Sequence, residues 1–90
     1  MLRVLENLIL LARERKKKPV ADSYTNKLLE NKSFAKDKIL EEVRELVESL
    51  EKDSNKIHEA ADVFYHLIVY LEANNLKIED IMIELEKRKK

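Results

Sequence analysis

The chain has 90 residues, 18 Lys and Arg against 18 Asp and Glu, a single proline, and neither cysteine nor glycine. That length suits one small domain. The balanced charge excludes an overall field drawing nucleic acid or an anionic membrane, and the lack of cysteine excludes a disulfide framework and a sulfur-rich metal centre.

One all-α domain over residues 1–90 is expected, and its core is marginal, so burial against a second copy in a homodimer is the expected supplement. The first segment, Met1 to about Lys16, carries Leu2, Leu5, Leu8, Ile9 and Ala12 at helical intervals and ends in Arg15-Lys16-Lys17-Lys18 before Pro19. The opening Leu2 to Ala12 is apolar, but it lacks a basic leader and a small-residue cleavage site and is too short to span a bilayer. It reads as a helix of a mature cytoplasmic protein, and its basic end reads as helix capping. Asp22 or Ser23 is placed to cap a short helix from about Tyr24 to Glu30, with a break over Asn31 to Ser33.

From about Phe34 to Lys52, the stripe Ile39, Val43, Leu46, Val47 and Leu50 predicts an amphipathic helix whose apolar side faces the core. Asp53-Ser54-Asn55 offers caps for a second long helix, from about Lys56 to Ala73. Ile57, Ala60, Ala61, Val63, Phe64, Leu67, Ile68, Val69, Tyr70 and Leu71 make that helix apolar around most of its circumference, which predicts burial. A last helix runs from about Ile78 to Lys89 on Ile78, Ile81, Met82 and Leu85. The pattern is a bundle of four to five helices.

Two acidic doublets stand out. Glu42 and Glu45 lie roughly 60° apart on their helix, at the edge of the apolar stripe. Glu41 and Glu48 project further toward solvent. Glu59, Asp62 and His66 form one polar stripe on the otherwise apolar helix, and carboxylates buried there require a cationic partner. Oxygen ligands from two helices suit Mg²⁺, whereas His58 and His66 are the only nitrogen donors for a softer metal. Lys38 sits one turn before Glu42, placed either to meet a phosphate or to pair with Glu41 or Glu42.

Glu42-x-x-Glu45, a spacer of 13 residues from Leu46 to His58, and Glu59-x-x-Asp62 together resemble the metal signature of the MazG-like all-α nucleoside triphosphate pyrophosphohydrolases. Ser23-Tyr24-Thr25, Lys38 before Glu41-Glu42, Tyr65-His66-Leu67 after the second doublet, and Glu84-Leu85-Glu86-Lys87-Arg88 are similar to the phosphoribosyl-ATP pyrophosphohydrolase family of histidine biosynthesis. Leu40 departs from the glycine often found before the Glu-Glu pair in that family. The resemblance implies Mg²⁺-dependent hydrolysis of phosphoribosyl-ATP to phosphoribosyl-AMP and pyrophosphate, with Glu42, Glu45, Glu59 and Asp62 as ligands. Either Glu41 or Glu45 would orient or deprotonate the attacking water. Ser23, Tyr24, Thr25, Lys38 and His66 are expected to bind substrate, and Arg13 and Arg88 to be solvated. Two other readings follow from the same residues: a pyrophosphohydrolase of non-standard nucleotides, or a helical interaction module whose acids pair with lysines.

Overall fold

The computed structural model describes residues 1–89, and the helices are α1 (Arg3–Lys17), α2 (Tyr24–Glu30), α3 (Lys32–Lys52), α4 (Lys56–Ala73) and α5 (Ile78–Lys87). No strand occurs among the described residues. Ser23 caps α2, its Oγ accepting from the Asn26 N–H at 3.2 Å. Asn31 both ends α2 and caps α3, accepting from the Phe34 N–H at 3.0 Å, so α3 begins earlier than the expected Phe34. One capping residue does the work assigned to a three-residue break.

A chain without glycine must still turn sharply. Asp22, Asp53, Asn55 and Asn75 have positive φ, and these are the residue types whose short polar side chains tolerate the left-handed region. Asp53 closes α3, its N–H donating to the Ser49 carbonyl. Asn55 occupies the N-cap of α4 but makes no side-chain cap bond, contrary to the expected capping role. α5 ends at Lys87 rather than Lys89.

α3 and α4 pack against each other along most of their length, with α1 and α2 against α4. Ile9 and Ala12, Leu28, Ala35 and Ile39, and Ile68, Val69 and Ala73 form the core, in which Leu28 and Val69 are the largest fully buried side chains. The radius of gyration, 14.1 Å, exceeds the about 12 Å typical of a compact chain this long. α5 is amphipathic yet has no substantial packing against another helix.

The largest departure from expectation is the rotation of α3. Its inward face is Ala35, Ile39, Glu42 and Ser49, while Val43, Val47 and Leu50 of the predicted core stripe, with Leu40, are exposed. Both faces repeat at helical spacing, so periodicity finds two faces without saying which one packs within the chain. α4 is likewise only half covered, with Ile57 at 88% and Phe64 at 57% exposure, and the expected full burial does not occur in the single chain. Among the described residues no helix is long and apolar enough to cross a membrane.

Candidate metal and substrate site

The rotation of α3 turns its acids onto α4. Glu42 is buried at 7% exposure and Glu45 half-buried, so these two do not flank the packed face but lie in it. Ligand oxygens of Glu42, Glu45 and Glu59 all lie within 4.8 Å of one another, and Asp62 forms an overlapping group with Glu59 and His58 on the same limit. The four expected ligands thus meet through Glu59, and His58, whose Nε2 is 3.4 Å from the Asp62 carboxylate, stands beside them.

The electrostatics of this cluster are unbalanced. Burial first, then the adjacent Glu45 carboxyl and the charge of Asp62, push Glu42 up to about 7 from 4.5, with Lys38 pulling the other way. Glu42 Oε2 and Glu59 Oε2 are buried without a hydrogen-bond partner. Such atoms carry a desolvation cost that an oxygen-seeking cation would remove. The residues therefore fit Mg²⁺.

Lys38 Nζ donates to Glu41 at 3.0 Å and lies 3.7 Å from Glu42, so it makes the pairings that stood as the alternative to phosphate contact. The bond to Glu41 is the main reason the Lys38 ammonium is held above its ordinary value. Glu41 stands at the outer edge, outside the three-carboxylate group.

His66 is buried, and its Nδ1 is 2.7 Å from the Asp62 carbonyl oxygen, which can only accept. In the neutral ring Nε2 is then the acceptor, and the Tyr24 hydroxyl donates to it at 2.9 Å. The Tyr24 ring stacks on Tyr65 at 6.3 Å and meets Phe34 edge-on. Burial raises the Tyr24 phenol above its ordinary value despite nearby Lys38, so it remains a donor.

The other two members of Ser-Tyr-Thr are occupied. The Ser23 hydroxyl accepts from Arg15 Nη1 at 2.7 Å in addition to its cap bond, and the buried Thr25 hydroxyl bonds Tyr65 Oη at 2.5 Å. Arg15 and Tyr65 were not singled out as site residues, although Tyr65 lies in the Tyr-His word. Asn26, also missed, fastens the loop before α2 to α1: its amide donates to the Arg15 carbonyl at 2.8 Å and accepts from the Val20 N–H at 2.9 Å.

A cavity of about 790 Å³ opens beside Ser23 and Tyr24, walled by Pro19, Val20 and Asn26. A smaller one, about 200 Å³, adjoins Glu45 and Glu59 at the α3–α4 turn. Arg88 pairs with Glu84 in solvent as expected, but Arg13 does not stay solvated. Its guanidinium bonds the buried Glu72 at 3.1 Å and Glu79 at 2.8 and 2.5 Å, joining α1, α4 and α5.

The family described as phosphoribosyl-ATP pyrophosphohydrolase matches residues 5–89. The chain belongs to this family. A phosphoribosyl-ATP pyrophosphatase of Clostridium acetobutylicum is 42% identical over 94% of this chain and 80% of its own length. One of Bacillus mycoides is 38% identical over 94% and 82%. The histidine biosynthesis bifunctional protein HisIE of Pyrococcus furiosus is 38% identical over 99% of this chain, which corresponds to 43% of that longer protein. Within the phosphoribosyl-ATP pyrophosphohydrolase family, the matched stretch contains every acid of the cluster.

Proposed function

We infer that the chain hydrolyses phosphoribosyl-ATP to phosphoribosyl-AMP and pyrophosphate in histidine biosynthesis, as a cytoplasmic single-domain enzyme. The observation carrying this reading is the cation-deficient group of buried Glu42 with half-buried Glu45 and Glu59 in a chain of this family. Glu42, Glu45, Glu59 and Asp62 would hold Mg²⁺. Bound there, it would offset the triphosphate charge and favour ionisation of a water.

The chain's own side chains supply the rest. Glu45 lines the open cavity and is not engaged by a lysine, whereas Glu41 is committed to Lys38. Glu45 therefore accepts the proton of the attacking water. As the water oxygen bonds to the α-phosphorus, the bond to the α,β-bridging oxygen breaks, and that oxygen leaves with pyrophosphate. Lys38 meets phosphate charge, and Tyr24, its hydroxyl held by His66, lines the cavity on the substrate side. Ser23 and Thr25 shape this wall through their bonds to Arg15 and Tyr65.

Purified protein with Mg²⁺ is expected to release pyrophosphate from phosphoribosyl-ATP in preference to a panel of ordinary and non-standard nucleoside triphosphates. No release from phosphoribosyl-ATP overturns the assignment.

A homodimer completes the fold in this reading. Leu40, Val43, Val47 and Leu50 on α3, with Ile57 and Phe64 on α4, form apolar rows open to solvent, and clustered exposed apolar side chains are the kind of surface that a second chain covers. Sedimentation is expected to give twice the chain mass, and Val47→Glu to shift it toward one chain. A wild-type monomer overturns the dimer.

A further inference from the structure

The cavity of about 790 Å³ has an immobilised aromatic ring in its wall. Tyr24 is 43% exposed, yet Tyr65 lies nearly parallel to it, with 17° between the planes, and Phe34 and His66 meet it edge-on. Its hydroxyl is bonded to His66 as well. The ring is thus fixed in direction while part of its surface stays open to the cavity. Pro19 and Val20, the latter 47% exposed, continue the wall. A fixed aromatic ring bordered by apolar side chains is a place to stack a planar group.

The charge around the ring indicates which planar group. Asp22 and Glu30 border the cavity and make no ion pair among the described residues. Lys27 is the single cation of the lining, and its ammonium is drawn over the Phe34 ring, 4.5 Å from the centroid. An aromatic face is the negative part of a π-system, so this wall favours a flat cation over a flat neutral ring. The cavity also adjoins the acid cluster, because the Tyr24 phenol feels the charges of Lys38 and Glu42.

Phosphoribosyl-ATP differs from ATP by a phosphoribosyl group on N1 of the adenine. Alkylation there fixes the ring as an amidine, basic enough to carry a positive charge near neutral pH, whereas plain adenine is neutral. We propose that Tyr24 distinguishes phosphoribosyl-ATP from ATP, its ring stacking on the charged N1-substituted adenine in the cavity beside Asp22 and Glu30. This rests on the activity inferred above and adds which part of the substrate is read, and by what. The ring carries the recognition, and the bond to His66 fixes its direction. A side chain that only shaped the wall would treat charged and neutral bases alike.

Calorimetric titration of the full chain in Mg²⁺ tests this with three nucleotides. In 1-methyl-AMP the ring carries the same charge without the phosphoribosyl arm; in AMP and N6-methyl-AMP it is neutral. Wild type is expected to bind 1-methyl-AMP about tenfold more tightly than either neutral nucleotide, the scale of a partly desolvated cation–π contact. Tyr24→Phe is expected to keep that preference and Tyr24→Leu to abolish it. Glu30→Gln, at an exposed position, is expected to keep the wild-type melting temperature and to reduce the preference about twofold. The base-proton NMR signals of 1-methyl-AMP are expected to move upfield on binding wild type, a readout of the aromatic face that needs no variant. The proposal is overturned if wild type binds the three nucleotides alike, if those signals do not move upfield, or if the preference survives in folded Tyr24→Leu. Absence of pyrophosphate release from phosphoribosyl-ATP counts against the activity; an active protein without the preference counts against this role of Tyr24 alone.

Discussion

Helix α4 carries acids of opposite kind at its two ends. Near its C-terminus Glu72 is buried at 6% exposure, yet Arg13 lies 3.1 Å and Lys16 3.7 Å from its oxygens. Near its N-terminus Glu59 and its neighbour Glu42 each keep a buried oxygen without a partner. The chain supplies cations for the first acid and none sufficient for the second pair. A buried carboxylate with its own cations is complete as structure, whereas one without them is completed by something the chain binds.

Substitutions at the two ends should therefore fail in different ways. Glu59→Gln is expected to lower kcat/KM by about a thousandfold, the scale reached when a group stabilising transition-state charge is lost. It should leave metal-free stability unchanged or slightly higher, since it removes repulsion. Pyrophosphate release and urea denaturation on the same preparation check both halves. A variant that loses stability and activity together would make Glu59 another Glu72.

Glu72→Ala has the reverse signature. It strips Arg13 and Lys16 of their shared buried partner and is expected to cost about 2–3 kcal/mol in urea denaturation, with KM for phosphoribosyl-ATP unchanged in the folded fraction. Glu79 bonds the same guanidinium but is exposed, so its removal is the milder control.

The contrast was only half legible in the sequence. The Glu59 and Asp62 stripe stood out because carboxylates on an apolar helix demand an explanation, and the structure sets Glu59 against Glu42 and Glu45 of α3, with Asp62 beside Glu59 on α4. Glu72 gave no such signal, because its partners Arg13 and Lys16 lie 59 and 56 residues away along the chain. Helix existence followed from periodicity; α3 begins earlier because Asn31 both ends α2 and caps it, whereas α4 keeps its expected bounds although Asn55 makes no cap bond. The facing of α3 was read only in part: Ile39 of the expected stripe is buried and Leu46 half-buried, but Val43, Val47 and Leu50, with Leu40, make as regular a row as Ala35, Ile39, Glu42 and Ser49 and stay exposed. Composition alone points the first row inward, whereas the chain's own packing turns the second row inward.

The weakest expected effect tests the same contrast through protons. Glu42 is held at about 7 in the folded chain against 4.5 when free, so between those values the folded state binds more protons than the unfolded one. Metal-free stability should then fall as pH rises from about 4.5 to about 7, by on the order of 1–2 kcal/mol, and this group should contribute no further slope above that window. Saturating Mg²⁺ competes with the proton for the same oxygens, so it should stabilise the protein most near neutral pH and flatten the profile. Glu42→Gln should flatten it without metal. Thermal melts of wild type and variant across that window, with and without Mg²⁺, provide the measurement. A wild-type profile that falls equally in both conditions would place the titrating group elsewhere and remove the electrostatic distinction between the two ends of α4.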